Sequence, residues 1–218
     1  MMRILFVNPN STASMTGKIC ATARAVAAPD VEVTAWTSHG GPPAIQGRGD
    51  GEAAIAPLLD EIGRGVVEGF DAFVIACFDD TGLAEARTLT PKPVIGIGQS
   101  AFHAAAMRGT RFSVVTTLAV SVPVIEENLV AAGLDRVCRR VRASGVPVLA
   151  LETDPAPSER AISAEIGRAI SEDGIGAVVL GCAGMADLAA RLSIAHGLPV
   201  IDGVAAACGL ARTLVTLK

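Results

Sequence analysis

Two segments in different halves of the chain have nearly the same sequence. Residues 72–77 read AFVIAC and residues 177–182 read AVVLGC. Each is an apolar, β-branched run of the kind that forms a buried strand, and each ends in a cysteine that a glycine-containing turn follows. A single cysteine at the end of an apolar strand is usually a packing residue. Its occurrence at equivalent places in both halves favours a shared chemical role.

Other landmarks recur at almost the same spacing as the two cysteines. Cys182 lies 105 positions after Cys77, while Val115 lies 108 positions after Val7. Pro-Val-Ile occurs at residues 93–95 and again 106 positions later. Three landmarks at a nearly constant offset predict an internal duplication, and therefore two halves of similar structure.

Apolar runs alternate with helical patterns along the chain. The predicted strands are, in order, residues 4–7, 31–36, 72–77, 94–97, 112–115, 146–151, 177–182 and 200–201. Residues 39–51 and 154–157 are rich in Gly or Pro and predict loops, and Ser158 is a candidate helix N-cap. Such alternation is typical of mainly parallel sheets that helices cover on both faces. We therefore expect an α/β protein with two pseudo-symmetric three-layer halves, residues 1–98 and 99–203, and a C-terminal helix at about 204–218 that packs back on the first half.

Parallel sheets bind ligands beyond the carboxyl ends of their strands. The segments at those ends are residues 8–11, 77–81, 116–117 and 182–185. If the halves face each other, these four segments line one cleft, and the two thiols oppose each other across it. A thiolate can remove a proton from one face of a carbon while the opposite thiol returns a proton to the other face. We expect the strand-to-helix turns to lower the thiol pKa values and to offer N–H groups to an enolate-like oxygen.

Composition excludes several classes of protein. Aromatic residues make up 3% of the chain and the net charge is −4, so a nucleic-acid surface is not expected. No apolar run approaches the ~20 residues that span a bilayer. Five widely spaced cysteines do not form a disulfide framework in a chain of 218 residues, which favours free thiols and the reducing cytoplasm. The three histidines have no companions at ligand spacing, so no metal site is predicted.

Residues 96–101 read GIGQSA and fit the loose dinucleotide-binding pattern G-x-G-x-x-A. The segment follows the fourth strand of its half, and no acidic residue ends a following strand about 20 residues later, as that fingerprint requires. A dinucleotide-dependent oxidoreductase is therefore a weak alternative, and it would not need the paired cysteines.

Five motifs together resemble the aspartate/glutamate racemase superfamily and, within it, the hydantoin racemase family that includes allantoin racemases. They are NPNSTASMT (8–16), CFDDTGL (77–83), FSVVTTL (112–118), RVRASGVPVLALE (140–152) and GCAGM (181–185). The motifs occur in the family's order over nearly the whole chain. The resemblance implies an active site between the two α/β halves, with no cofactor and no metal. It implies Cys77 and Cys182 as the two acid/base residues.

The same resemblance implies the substrate contacts. They are Asn10, Phe78, Asp79, Thr116, Thr117, Ala183 and Gly184. Amino-acid racemases of the superfamily have Asn-Thr or Thr-His after their cysteines, where this chain has Phe-Asp and Ala-Gly. That difference favours a neutral ring, so the expected activity is racemisation of 5-substituted hydantoins, with allantoin a candidate substrate. The expected partners are a small-molecule substrate and further copies of the chain, with neither nucleic acid nor membrane.

Two alternatives stay open at this point. A maleate isomerase-like or amino-acid racemase activity would need cationic contacts for the substrate's carboxylates, and the strand ends offer none. A non-catalytic small-molecule binding protein could share the duplicated architecture, but it would tolerate serine at both cysteine positions.

Overall fold

Two parallel four-stranded sheets organise residues 1–217, the part of the chain that this computed structural model describes. The eight strands are β1 (Met2–Asn8), β2 (Val31–Thr37), β3 (Ala72–Ile75), β4 (Val94–Gly96), β5 (Phe112–Thr116), β6 (Cys138–Ala143), β7 (Ala177–Gly181) and β8 (Val200–Ile201). The first sheet has the order β2-β1-β3-β4 and the second has the order β6-β5-β7-β8. Each half thus places its strands in the same order, and the predicted α/β fold with two similar halves is confirmed.

Helices flank both sheets. They are α1 (Ala13–Val26), α2 (Arg48–Val67), α3 (Leu83–Arg87), α4 (Ile97–Met107), α5 (Val122–Ala131), α6 (Ala150–Thr153), α7 (Pro155–Asp173), α8 (Ala189–His196) and α9 (Gly203–Thr216). Two short 3-10 helices span Ala119–Ser121 and Ala183–Leu188. None of the helices within residues 1–217 combines the length and the apolar character needed to cross a bilayer.

The last helix, α9, packs against α1 and β3 and also against α4. It therefore contacts elements on both sides of the boundary predicted near residue 98. The Asp202 carboxylate begins this helix by accepting hydrogen bonds from the backbone N–H groups of Val204 and Ala205. Lys218, the end of the predicted helix, lies outside the described residues.

One apolar core connects the two halves. Phe6 and Val74 of the first sheet belong to the same buried cluster as Phe112 and Val179 of the second. Phe102 on α4 lies between the halves, with its ring edge-to-face against Phe78 at 5.3 Å and stacked on Phe112 at 6.5 Å. Such aromatic pairs add about 0.5–1.5 kcal/mol each to the burial of their surface. The turn after Cys77 is therefore anchored in the shared core through Phe78.

The sixth strand is not where the sequence predicts it. The apolar run at 146–151 forms an extended loop and the start of α6, while the strand is formed by CRRVRA at Cys138–Ala143. The arginines around Cys138 suggest a connection when the sequence is considered alone, and this interpretation is also wrong, because Cys138 begins the strand. A strand can form from this arginine-rich segment because β6 lies at the edge of its sheet. At that position only the residues that face the protein interior need to be apolar. Pro147 cannot donate a ladder hydrogen bond, and the apolar run around it is buried elsewhere.

Two helices begin earlier than the sequence predicts. α2 begins at Arg48, inside the predicted loop 39–51, and continues through Pro57. α7 begins at Pro155, a residue whose fixed φ suits the first helical turn, so the predicted loop 154–157 is wrong beyond residue 154. Ser158 is consequently inside the helix instead of capping it, and its hydroxyl donates to the Ala150 carbonyl at 3.1 Å.

The second half contains a buried ionic cluster around Arg142 on β6. Its guanidinium donates to both carboxylate oxygens of Asp173, at 2.7 and 2.6 Å. It also donates to Glu165 at 3.1 Å and to Glu172 at 2.7 Å, while the Ser113 hydroxyl donates to Asp173 at 2.7 Å. These hydrogen bonds lower the pKa of the Asp173 carboxyl. These contacts join the edge strand β6 to α7, with Arg142, Glu165 and Asp173 buried and Glu172 half exposed.

Candidate active site

A cleft of about 420 Å³, its open mouth included, lies where the carboxyl ends of the central strands of both sheets meet. Eight of the nine predicted site residues line it: Asn10, Cys77, Phe78, Asp79, Thr117, Cys182, Ala183 and Gly184. The duplication thus brings the two halves' strand ends to one cavity.

The two cysteines reach the cleft from equivalent turns. Cys77 follows β3 by two residues, and Cys182 directly follows β7, where it precedes the 3-10 helix. The Thr81 hydroxyl donates to the Cys77 sulfur at 3.8 Å, and Gly184 lies in the turn next to the Cys182 sulfur. All five cysteines are free thiols, but of these only Cys77 and Cys182 are found in the lining of this cleft.

Both thiols have raised pKa values, contrary to the expectation that their turns lower them. Burial raises the pKa of Cys77 well above its usual range and raises that of Cys182 to about 11. The charge of Asp79 acts in the same direction on both. The Gly184 N–H lowers the pKa of Cys182, but one such donor does not offset the loss of water around the sulfur. In the unliganded cleft at neutral pH both thiols are therefore protonated.

Among the described residues that line the cleft, Asp79 is the only acidic one. Its backbone carbonyl accepts a hydrogen bond from the Asn128 amide at 2.8 Å, which fixes the main chain of the turn. Burial raises the pKa of its carboxyl to about 7. No lysine or arginine lines the described cleft, so this carboxyl has no cation beside it there.

Asn10 is held as a hydrogen-bond donor to the cleft. Its side-chain oxygen accepts from the Asn8 amide and from the Thr12 N–H, both at 2.9 Å. Its amide nitrogen contacts the sulfur of Met15 at 3.5 Å, which is a weak acceptor. With the oxygen occupied, the amide N–H₂ is the group that Asn10 can offer to a carbonyl oxygen of a ligand.

The two threonines after β5 have different surroundings. Thr117 lines the cleft, whereas Thr116 does not. The Thr116 hydroxyl is buried and donates to the Gly181 carbonyl at 2.9 Å, across the ladder between β5 and β7. Thr116 therefore supports the strand end that precedes Cys182, and its hydroxyl faces the neighbouring strand.

Several lining residues were not among the predicted ones. Asn8 and Ser121 add polar groups, and Met15, Ile45 and Val148 add apolar walls. Asn8, the last residue of β1, is not one of the nine candidate site residues, but it belongs to the strand-end segment 8–11 that the sequence predicts to line the cleft. No local signal identifies Ile45 and Val148, because they come from loops of different halves that meet only in the folded chain.

These two loops form a cover over the cleft. The Gln46 side-chain oxygen accepts a hydrogen bond from the Val148 N–H at 3.0 Å. Lys18 on α1 forms an ion pair with Glu152 on α6 at 2.7 Å, where Glu152 is 16% exposed. Glu152, for which a solvated strand end is the simplest sequence-based interpretation, is instead part of this connection between the halves.

The dinucleotide-like motif has a structural explanation in the turn after Cys77. The Asp80 carboxylate accepts the N–H groups of Gly98 at 2.9 Å and Gln99 at 2.6 Å, at the start of α4. A β-carbon at Gly96 would overlap that carboxylate, and one at Gly98 would overlap the Phe78 carbonyl. The glycines thus make room for the protein's own carboxylate at a helix N-terminus where a dinucleotide would place its pyrophosphate.

This packing predicts the effect of Gly98→Ala. We expect it to lower the free energy of unfolding by about 1–3 kcal/mol, because the added methyl group displaces the turn that carries Cys77. Gly209→Ala on the exposed side of α9, where a β-carbon meets no atom within 4 Å, is the control. It should stabilise the protein by about 0.5–1 kcal/mol. Urea denaturation measures both, and equal stabilities for the two variants would contradict the packing argument.

The comparisons with known proteins agree with one another. The family model described as Asp/Glu/Hydantoin racemase matches residues 4–211. A hydantoin racemase of Rhizobium meliloti is 48% identical over 214 residues, which cover 98% of this chain and 89% of that protein. The solved structure of an allantoin racemase from Klebsiella pneumoniae superposes with a TM-score of 0.96 at 42% identity, covering 100% of this chain and 89% of that one. An allantoin racemase from Pseudomonas fluorescens has a TM-score of 0.93 at 40% identity, with coverage of 99% and 92%.

Proposed function

The chain belongs to the Asp/Glu/hydantoin racemase family, and on that premise we propose that it racemises 5-substituted hydantoins, with allantoin a candidate substrate, without a cofactor. The observation that carries the proposal is the pair of thiols at equivalent strand ends of a duplicated fold, both lining one small cleft. The cleft residues found in positions 1–217 include no lysine or arginine, which suits a neutral ring better than a carboxylate substrate.

The proposed reaction is a proton transfer in two steps. One cysteine, as thiolate, takes the proton from ring carbon C5, and the electron pair is delocalised onto the adjacent carbonyl oxygen. The opposite cysteine, as thiol, gives a proton to the other face of C5, so that the two thiols have exchanged protonation states. Asn10 and the turn amides near Gly184 are the donors that support the developing oxyanion. Conversion of the other enantiomer starts from the reversed protonation states.

Because the pKa values of both thiols are raised, we expect the enzyme to be more active at alkaline pH than at neutral pH. Burial raises the pKa of Cys182 to about 11 and that of Cys77 well above its usual range, so both thiols ionise at alkaline pH. We therefore expect kcat/KM to rise with pH above neutrality, because the fraction of enzyme with one thiolate and one thiol rises. The thermodynamic equilibrium between enantiomers is 1:1, so kcat/KM should be equal for both at every pH. A rate that falls as pH increases from 7 to 9 would contradict the thiolate as base.

The deciding experiment follows one enantiomer of a 5-substituted hydantoin in deuterated water. We expect loss of optical rotation together with replacement of the C5 proton by deuterium, both faster than in the protein-free solution. A protein that only binds the ring would accelerate neither. Aspartate, glutamate and maleate are included as substrates, and conversion of one of these in place of the hydantoin would instead favour the amino-acid racemase or isomerase alternative.

We also propose a cellular location and an oligomeric state for this enzyme. Five free cysteines, two of them assigned a catalytic role, suit the reducing cytoplasm. We propose a homo-oligomer as the working form, in line with exposed apolar side chains such as Met107 and Ile194, which are 72% and 85% exposed. Analytical ultracentrifugation measures the number of subunits, and a monomer at all protein concentrations would contradict this part.

A further inference from the structure

The turn from Cys77 to Asp80 holds three of its four side chains in fixed roles. Cys77 is one of the paired thiols, Phe78 is packed against Phe102, and Asp80 accepts two N–H groups of α4. The backbone is closed by a hydrogen bond from the Asp80 N–H to the Cys77 carbonyl at 3.1 Å. Asp79 is the remaining member, and its side chain lines the cleft with no hydrogen-bond donor to it among the described residues.

The Asp79 carboxyl is half-buried and its oxygens stay open to the cleft, so it can accept a hydrogen bond from a group that enters there. The walls around it offer two thiols, two hydroxyls, two side-chain amides and apolar groups, and no lysine or arginine in the described lining. The missing donor therefore has to come from water or from the ligand. A ligand carboxylate would face Asp79 with like charge, whereas a ligand N–H would complement it.

Asn10 and Asp79 together offer a complementary pair of groups. Asn10 presents an N–H₂ donor, since its oxygen is already occupied by Asn8 and Thr12. Asp79 presents an acceptor in the same cleft. A cyclic ureide carries carbonyl oxygens next to N–H groups in its ring. Donor and acceptor in the site thus match acceptor and donor in the ligand.

We propose that the Asp79 carboxylate accepts a hydrogen bond from a ring N–H of the substrate and so selects neutral cyclic ureides whose ring nitrogen is unsubstituted. This inference rests on the proposed function and specifies its substrate class. Asp79 acts here as a specificity residue, while proton transfer at C5 belongs to the cysteines. An N-alkylated ring and a dicarboxylate are both disfavoured, the first by loss of the donor and the second by repulsion.

The proposed role also gives a pH signature, since burial raises the pKa of Asp79 to about 7. The carboxylate is the acceptor form, so it is present above this pKa and lost as pH falls through it. KM should therefore rise as pH falls below about 7. The charged and titratable groups facing Asp79 or its adjoining surface pocket are Cys77, Asp80, Cys182, Arg48 and Glu52, with Glu127 paired to Arg48.

The test compares a 5-alkyl hydantoin with its N1-methyl and N3-methyl derivatives. A hydrogen bond to a charged group contributes about 1.5–3 kcal/mol, or roughly 10- to 150-fold in affinity. Methylation of the nitrogen facing Asp79 should therefore raise KM of the wild-type enzyme at least about 10-fold. In Asp79→Asn, KM for the free ring should rise by a similar factor, the difference between free and methylated rings should shrink, and the change of KM near pH 7 should disappear.

Asp80→Asn is the matched control from the same turn. It should lower the melting temperature, because it weakens the hydrogen bonds to α4, and leave the ratio of KM values for methylated and free rings unchanged. Asp79→Ala gives a second variant in case the asparagine side chain substitutes as an acceptor. If wild type racemises hydantoins but both Asp79 variants keep its methyl discrimination and pH profile, the inference about Asp79 is wrong and the proposed function stands. If wild type racemises no hydantoin, the proposed function itself fails.

Discussion

Replacing either Cys77 or Cys182 by serine is expected to reduce racemisation by about 10²–10⁴-fold, the range for loss of a general acid or base. A serine hydroxyl in the same place is far less acidic than a thiol, so it neither forms the base nor transfers a proton at a comparable rate. The two residues act on opposite faces of one carbon, and each is needed for every complete turnover. Polarimetry with both enantiomers measures the loss.

Exchange in deuterated water distinguishes the two cysteines. In Cys77→Ser the remaining thiolate can still remove the proton from the enantiomer whose C5 proton faces Cys182, so exchange without racemisation is expected for that enantiomer alone. Cys182→Ser should show exchange of the opposite enantiomer. Cys20→Ser, on α1 and outside the lining of the cleft, is the control and should retain wild-type activity. Normal racemisation by both cleft variants would overturn the two-thiol mechanism.

Replacing Arg142 by methionine is expected to destabilise the fold by about 3–5 kcal/mol, the usual result of removing one partner from a buried ionic network. Its side chain is 6% exposed, and the carboxylate of Asp173 beside it is 3% exposed. Without the guanidinium, the buried Asp173 carboxylate would keep the Ser113 hydroxyl and the more distant Arg140, at 3.9 Å, while Glu165 would keep Arg168. Such a loss is a large fraction of the 5–15 kcal/mol that stabilises a typical domain.

Arg140 on the same strand provides a matched control. Its side chain is 59% exposed and its nitrogens lie 3.7–3.9 Å from Glu172 and Asp173. Exposed pairs contribute about 0–1 kcal/mol, so Arg140→Met should leave the unfolding free energy nearly unchanged. Chemical denaturation of the two variants side by side measures the difference. A similar small effect for both would show that the Arg142 cluster does not stabilise the fold.

Prediction from sequence succeeded where local patterns carry the information. The strands that end near Cys77 and at Cys182 are continuous apolar runs, and both are central in their sheets, so their burial on two faces is visible in the sequence. Prediction failed at β6, because an edge strand rich in arginine does not resemble a buried one. Arg142 is acceptable there only because α7 brings Asp173 and Glu165 to it, a contact that no sequence window contains.

The sequence by itself determined the duplicated α/β architecture and the placement of one cysteine at an equivalent strand end in each half, since repeat spacing and apolar runs are local properties. The tertiary structure alone decided the environment of those residues. It directs the Thr116 hydroxyl to the neighbouring strand, closes the cleft with Ile45 and Val148, and leaves Asp79 without a donor in the described lining. It also raises the thiol pKa values that the turns were expected to lower. Desolvation depends on every atom that surrounds a group, and those atoms come from segments far apart in the chain.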